Sequence, residues 1–277
     1  AWHLRRGLPE SPRWLESRGR IAEASAIVDA IEAEVQRQHG TPLPPPVAIT
    51  ATTEVRLPFL DLFRPPYRVR TLMMTGFQVL RDFEGLSGHL HAYKVDIAKA
   101  MLEMCHQLGS RVLLACSSTS THATGERGAL ARDLRKLATL AVPYGIRIAF
   151  EALSWGKYVS ELPQACDIVA EADRANLGVG IDSFHILAAK TGLEALDEID
   201  PAKIFLVQLA DFMWQEAHSF EERIDTARHF RVFPGEGVHS EQVAQLVRRL
   251  DHAGYRGDYS FEVFNDDYVQ LPLPVVA

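Results

Sequence analysis

Apolar residues follow two different patterns along the chain, and the change falls near residue 70. Beyond Thr71, short and almost wholly apolar runs alternate with stretches in which apolar positions recur every three or four residues. The runs are typical of parallel strands covered on both faces, and the period is typical of amphipathic helices. The predicted strands are Leu72–Val79, Arg111–Ser117, Ile146–Glu151, Leu177–Asp182, Ile204–Leu209 and Tyr259–Val263. The predicted helices are Tyr93–Leu108, Glu126–Val142, Ser160–Asp173, Leu193–Ile199 and Glu241–Ala253.

Strands that alternate with helices predict βαβ units and a parallel sheet, and so an α/β fold. Their spacing of roughly 30 residues favours a (β/α)8 fold of the TIM-barrel type over a Rossmann sheet. About six βα units can be recognised, where a whole barrel has eight. No glycine-rich phosphate loop follows a predicted strand, so neither the dinucleotide nor the nucleoside triphosphate fingerprint is present.

The first 74 residues have a different composition from the rest of the chain. Ser11–Pro12 is a helix-start signal, and residues from Arg18 to His39 carry apolar positions with a helical period. Thr41–Pro46 contains four prolines and predicts a stiff linker, which Val47–Val55 follows as a short predicted strand. The sequence therefore predicts a helical extension over residues 1–74 and a barrel-like domain over residues 75–277.

Composition narrows the class of protein. The 277 residues include 29 basic and 36 acidic side chains, for a net charge of −7, which does not suggest a nucleic-acid-binding face. Apolar residues make up 47%, as in a globular protein, but no apolar run approaches the roughly 20 residues of a membrane span. The three cysteines, Cys105, Cys116 and Cys166, fit neither a disulfide framework nor a zinc cluster. We therefore expect a cytoplasmic protein.

Four of the predicted strands end at a residue with a metal-binding oxygen. These residues are Glu151, Asp182, Gln208 and Glu262. The carboxyl ends of neighbouring barrel strands converge on one mouth, where active sites lie. Carboxylate and amide oxygens suit Mg²⁺ or Mn²⁺, with Co²⁺ as a third option. A single carboxylate in such a position often caps the next helix instead, and Asp182 before Ser183 fits that alternative best. The full set predicts a divalent-metal site.

Two further residues are candidates for catalysis. His185 lies three residues after Asp182, where it could take a proton from a carbon next to a metal-bound carbonyl. The alternative for His185 is a supporting or capping role. Arg81 follows the first predicted strand and could bind a substrate carboxylate. A salt bridge to a neighbouring acidic residue explains Arg81 equally well.

Three residues are candidates for substrate binding. Arg231 lies in a loop rich in Gly and Pro after the Gln208 strand, where it could hold an anionic group. Ser117 ends a strand and could bind a substrate hydroxyl. Lys157 is a weaker candidate, because a lysine in a loop is often simply solvated.

Together these motifs resemble a known family. They are Phe77–Gln78, Arg81–Gly85, Phe150–Gly156, Asp182–His185, Val207–Asp211, Arg231–Gly237 and Phe261–Asp266. From about Thr75 to Gln270 the chain resembles the xylose-isomerase-like barrel superfamily of sugar phosphate isomerases and epimerases, and within it the bacterial 3-dehydroshikimate dehydratases. The resemblance implies that the four strand-end residues are metal ligands and that His185 is the base. It also implies dehydration of 3-dehydroshikimate to protocatechuate, a step of quinate and shikimate breakdown.

The chain departs from this family at its beginning. Members of the family start with two further βα units before Phe77–Gln78. Here Arg6–Leu15 resembles the central loop of a major facilitator transporter for aromatic acids or sugars, and Phe63–Leu72 resembles the segment that leads into the next transporter helix. We interpret the chain as a transporter loop fused to a barrel that lacks two units. Six strands leave two open sheet edges, which favour association with further copies of the chain.

Other functions are compatible with the sequence. A sugar or sugar phosphate isomerase or epimerase of the same superfamily is one, although Lys157 stands near where those enzymes carry a second acid/base carboxylate. An inactive fusion or truncation product is another, and a membrane-associated module is a weaker third. An assay of 3-dehydroshikimate with added divalent ions separates the first two of these alternatives from the dehydratase.

Overall fold

A computed structural model describes residues 19–39 and 78–270, which belong to two separate units. The first unit contains helix α1 (Ile21–His39), in agreement with the helix predicted there. An exposed ion pair between Arg20 and Glu23 lies at its beginning. The predicted helix start at Ser11–Pro12, the linker and the strand at Val47–Val55 lie outside the described residues.

The second unit is built on a six-stranded parallel sheet. Its strands are β1 (Gln78–Arg81), β2 (Val112–Cys116), β3 (Arg147–Glu151), β4 (Leu177–Asp182), β5 (Ile204–Leu209) and β8 (Tyr259–Phe261), in that order across the sheet. A small antiparallel pair, β6 (Asp211–Phe212) and β7 (Arg231–Val232), lies between β5 and β8 in the chain. Each strand pairs with its predecessor in the sheet, as the strands of a TIM barrel do.

Helices connect the strands. They are α2 (Gly88–Leu108), α3 (Arg127–Ala141), α4 (Leu162–Ala172), α5 (Ser183–Ala189), α6 (Phe220–His229), α7 (Ser240–Ala253) and α8 (Asp266–Gln270). Local sequence explains several of their ends. The Glu126 side chain accepts the N–H groups of Gly128 and Ala129 at the start of α3, and Gly109, with φ +72°, ends α2. None of the helices in residues 19–39 and 78–270 has the length and apolarity to cross a membrane.

The two faces of the sheet have different surroundings because successive side chains of a strand point to opposite sides. On the outer face, residues such as Leu113, Ile148 and Val179 pack with buried side chains from the helices. On the inner face, Leu114 and Ala149 belong to a second, smaller cluster. Alternation places the final residues of β3 and β4 on this inner face, at the carboxyl end of the sheet.

Several predictions of secondary structure need correction. Helix α2 begins at Gly88 and not at Tyr93, and β8 ends at Phe261 and not at Val263. The first strand does not end at Val79: β1 continues to Arg81, which pairs with Cys116, and Asp82 then ends it with a φ of +53°. The predicted helix at Leu193–Ile199 is a 3-10 helix, Leu193–Glu198. Helices α5 and α6 were not predicted from the apolar pattern, since α5 is only seven residues long and α6 is mostly polar.

Candidate active site

Four oxygen-bearing side chains meet at the carboxyl end of the sheet. Glu151 and Asp182 are the last residues of β3 and β4, and Asp182 pairs in register with Gln208 of β5. Glu262 follows β8, and its N–H donates to the carbonyl of Leu209. The first three are buried, and the Glu262 side chain is 23% exposed. We refer to these four residues as the acidic row.

Two oxygens of the acidic row have no partner. The thiol of Cys116 donates to Oε2 of Glu151 at 3.3 Å, while Oε1 of the same carboxyl is buried and accepts no hydrogen bond. Oε1 of Gln208 is likewise buried without a partner. Buried polar atoms in folded proteins are nearly always satisfied, so two unpaired acceptors at the same end of the sheet fit the binding of a cation. Three carboxylates and an amide are the donors that hard divalent ions prefer.

Arg231 brings a positive charge into the acidic row. Its Nη1 atom donates to Oδ2 of Asp182 at 2.8 Å and to Oε2 of Glu262 at 3.0 Å. Its Nε atom donates to the carbonyl of Ala227, and its guanidinium lies 4.5 Å from the ring centre of Phe184. In the described part of the chain, no three His, Cys, Asp or Glu side chains surround one point as a ready coordination group. The guanidinium instead joins two of the carboxylates.

Backbone pairing with other segments fixes the position of Arg231. It pairs with Phe212 across the small β6–β7 ladder, and its N–H donates to the carbonyl of Phe264. Asp211, the first residue of β6, accepts hydrogen bonds from the backbone and ring of His239 and is wholly buried. A side chain at position 237 would collide with Asp211, which explains why this position is a glycine.

The carboxyls of the acidic row differ in their electrostatics. Burial, together with the negative charges of Asp182 and Glu262, raises the pKa of Glu151 well above its usual value. Burial and Asp182 also raise the pKa of Glu262, to about 7. Burial acts in the same direction on Asp182, but Arg231 and His185 outweigh it, so the pKa of Asp182 is lowered. Asp182 is therefore ionised, and Glu151 favours its neutral form.

His185 lies beside Asp182 on the first turn of α5. Its Nε2 atom is 3.7 Å from Oδ2 of Asp182, and the ring is buried. Burial lowers the pKa of His185 to about 4, against the opposing effect of Asp182. Its Nδ1 atom accepts the N–H of Ser154 at 3.1 Å and lies 3.1 Å from the Oγ of the same residue. Trp155 contacts the same ring with its edge.

The other predicted residues lie at different places around the mouth. Arg81 pairs in register with Cys116, so its side chain points to the same face as the acidic row, and it is exposed. The Oγ of Ser117 accepts the N–H of Leu153 at 3.0 Å and supports the loop after β3. The exposed amine of Lys157 donates to the carbonyl of Thr121. The proposed substrate contacts of Ser117 and Lys157 stay predictions.

Some contacts of the site could not be predicted from the sequence. No sequence pattern marks the contact of Ser154 with His185 or the contact of the Cys116 thiol with Glu151. A third is Glu84, whose Oε1 atom accepts the N–H of Ser118 and ties the end of β1 to the loop after β2. Burial raises the pKa of Glu84 to about 7. The available signals were the proximity of these residues to predicted strand ends and, for Glu84 and Ser154, their place in the motifs Arg81–Gly85 and Phe150–Gly156.

The family of the chain follows from this fold and from comparison with known proteins. The model of the xylose isomerase-like TIM barrel family matches residues 53–276, so the chain belongs to that family. The 3-dehydroshikimate dehydratase of Pseudomonas aeruginosa is 38% identical over 196 residues, which are 71% of this chain and 30% of the relative. The chain thus spans about a third of the length of this dehydratase.

Other relatives support the same superfamily. The inosose isomerase of Bacillus velezensis is 30% identical over 182 residues, covering 62% of this chain and 60% of the relative. Among solved structures, the IolI protein "with a binding zinc atom" is 26% identical with a TM-score of 0.60, covering 70% of this chain and 68% of that one.

A different relative bears on the predicted transporter resemblance. The putative metabolite transport protein YdjK of Escherichia coli K12 is 60% identical over 47 residues, which are 17% of this chain and 10% of the relative. A short part of the chain is therefore similar to a protein described as a transporter, while most of the chain matches the barrel family.

Proposed function

We propose that the protein catalyses the divalent-metal-dependent dehydration of 3-dehydroshikimate to protocatechuate, with release of one water. The observation that carries this proposal is the acidic row, with two unpaired buried oxygens, in a chain similar to a 3-dehydroshikimate dehydratase. Mg²⁺ or Mn²⁺ suits the four donors best, and Co²⁺ is the third option. Zinc is included for comparison because the similar IolI protein is described with a zinc atom.

The proposed ligands are Glu151, Asp182, Gln208 and Glu262. A bound divalent cation supplies Lewis-acid polarisation of the substrate ketone. His185 is the proposed base and takes a proton from the carbon next to that ketone. The N–H of Ser154 donates to Nδ1 and orients the ring. After the transfer, the nearby carboxylate of Asp182 stabilises the imidazolium.

Arg81 is the proposed partner of the substrate carboxylate. It is exposed and lies on the inner face next to Cys116, and the structure gives its side chain no hydrogen-bond partner among the described residues. The Arg231 guanidinium is already bonded to Asp182 and Glu262, which leaves Arg81 the better candidate for an incoming anion. A guanidinium can hold a carboxylate through two parallel hydrogen bonds.

An assay of the purified full chain tests this function. The protein is stripped with a chelator and incubated with 3-dehydroshikimate, with and without Mg²⁺, Mn²⁺, Co²⁺ or Zn²⁺, and aromatic product is followed by absorbance and chromatography. We expect protocatechuate only when an ion is added, and a much lower rate for E151A. Folded protein that forms no product with any of the ions contradicts the proposal.

A second function is favoured by the inosose isomerase relative, more than half of which this chain covers. An isomerase would convert an inosose or keto-sugar without loss of water. Mass spectrometry of the products separates the two functions directly, because dehydration lowers the product mass by one water and isomerisation leaves it unchanged.

A further inference from the structure

The position of Arg231 carries an inference that rests on the proposed metal-dependent function. Its guanidinium bonds to Oδ2 of Asp182 and to Oε2 of Glu262, and both residues are proposed ligands. The unpaired oxygens of the acidic row belong to the other two ligands, Glu151 and Gln208. The row is thus divided into a half held by Arg231 and a half in which each side chain has one unpaired oxygen.

The guanidinium is firmly anchored in this position. Nε donates to the carbonyl of Ala227, the ring of Phe184 lies 4.5 Å away, and only 4% of the side chain is exposed. Backbone pairing with Phe212 and the carbonyl of Phe264 fixes the residue from both sides. A side chain with so many contacts stays next to the carboxylates when another cation approaches.

We propose that Arg231 is an internal countercation that shares the carboxylates of Asp182 and Glu262 with the divalent ion and so weakens the binding of that ion. Two cations on the same carboxylates repel each other and compete for the same lone pairs. The guanidinium also pairs with the carboxyls of Asp182 and Glu262, so it stabilises the fold in the presence of a chelator. If Arg231 instead held the carboxylates in place for the ion, removing its charge would weaken the binding of the ion.

Calorimetric titration of the chelator-stripped full chain with Mn²⁺ tests the proposal. R231Q removes the charge, and R231K keeps a charge but loses the bond to Ala227. R248Q is the matched control, because it removes an exposed arginine that pairs only with surface residues such as Glu241. We expect R231Q to bind Mn²⁺ about tenfold more tightly than the wild type, which is about 1.4 kcal/mol. R231K should fall between the two, and R248Q should equal the wild type.

Thermal unfolding gives a second measurement. In chelator the midpoint of R231Q should lie below that of the wild type, because Asp182 and Glu262 lose their shared partner. Saturating Mn²⁺ should raise the midpoint of R231Q by more than it raises that of the wild type.

The outcomes separate this inference from the proposed function. If the wild type binds Mn²⁺ and folded R231Q binds it equally or more weakly, the inference is overturned and the metal site stands. If R231Q binds Mn²⁺ and the wild type does not, the inference is supported. If R231Q stays unfolded even with Mn²⁺, R231K decides: tighter binding than wild type supports the proposal and weaker binding overturns it. No binding by the wild type or any variant overturns both the metal site and the inference.

Discussion

The Nη1 atom of Arg231 lies 2.8 Å from Oδ2 of Asp182, and both side chains are almost wholly removed from solvent. This bond holds Asp182 in its ionised form, with a pKa below the usual value. Glu151, on the neighbouring strand, receives only a thiol donor from Cys116, and burial raises its pKa. One row of side chains therefore contains an ionised carboxyl and one that favours its proton.

Replacing Glu151 with glutamine should separate fold stability from ion binding. E151Q removes a buried group that favours its neutral form, so we expect the free energy of unfolding in chelator to stay equal or to rise by about 1–2 kcal/mol. Binding of Mn²⁺ should fall by about a hundredfold, because a carboxylate ligand is lost. Urea denaturation and calorimetry measure the two effects. A loss of stability together with unchanged Mn²⁺ binding contradicts the assigned role of Glu151.

Replacing His185 should abolish turnover while leaving the ion in place. For H185Q we expect the rate of protocatechuate formation to fall by about 10²–10⁴, the usual contribution of a positioned acid or base. Steady-state kinetics with Mn²⁺ measures the fall, and calorimetry should show Mn²⁺ affinity within a few-fold of the wild type. Turnover close to that of the wild type would exclude His185 as the base.

Ser154 is predicted to position His185 through its hydroxyl. The N–H and the Oγ of Ser154 both lie 3.1 Å from Nδ1 of His185, so S154A removes one of the two groups that hold the ring. We expect kcat to fall about tenfold, which corresponds to the roughly 1.4 kcal/mol of one buried hydrogen bond. KM should change little, because Ser154 is wholly buried. S154T keeps a hydroxyl and should restore part of the rate. A change confined to KM contradicts this positioning role.

The raised pKa of Glu84 predicts that the stability of the fold depends on pH. Its pKa is about 7 in the folded chain and near 4.5 in the unfolded chain, so between these values the folded state binds the proton more strongly. The contribution of Glu84 to stability is therefore full below pH 4.5, falls as the pH rises, and is lost above about pH 7. The loss amounts to about 3 kcal/mol. Relative to the wild type, E84Q should gain stability as the pH rises from 5 to 8.

Urea denaturation at both pH values measures this difference. E103Q, on the exposed part of α2, controls for the removal of one formal negative charge. A stability gap between wild type and E84Q that is the same at pH 5 and pH 8 would show that Glu84 does not titrate in this range.

Much of the sheet could be predicted from the sequence because its strands are buried on both faces. Strands β4 and β5 coincide with their predicted ranges, and β2 and β3 lie within the ranges predicted for them. Their uninterrupted apolar runs reflect contact with helices on one side and the inner cluster on the other. Helix α6 was not predicted, since most of its charged residues are exposed and only Thr226 and Ala227 are buried. Its capping box, Ser219 with Glu222, was the available signal.

The site could be predicted only as far as strand ends specify it. Parallel strands bring their carboxyl ends together, so the meeting of Glu151, Asp182 and Gln208 follows from the topology alone. The bond between Arg231 and Asp182 does not, because the two residues are 49 positions apart and the β6–β7 pairing places Arg231. The sequence predicted that Arg231 holds an anionic group of the substrate. In the structure its guanidinium is bonded to two carboxylates of the acidic row. Its proposed contact with substrate stays a prediction.

Counting bound ions tests the central claim most directly. The full chain is dialysed against Mn²⁺, and the metal in the protein compartment is measured in excess over the dialysate. We predict one ion per chain for the wild type and none for a variant that combines E151A with E262A. Folded wild-type protein with no excess metal, tested with Mn²⁺, Mg²⁺, Co²⁺ and Zn²⁺ in turn, would contradict the proposed metal site.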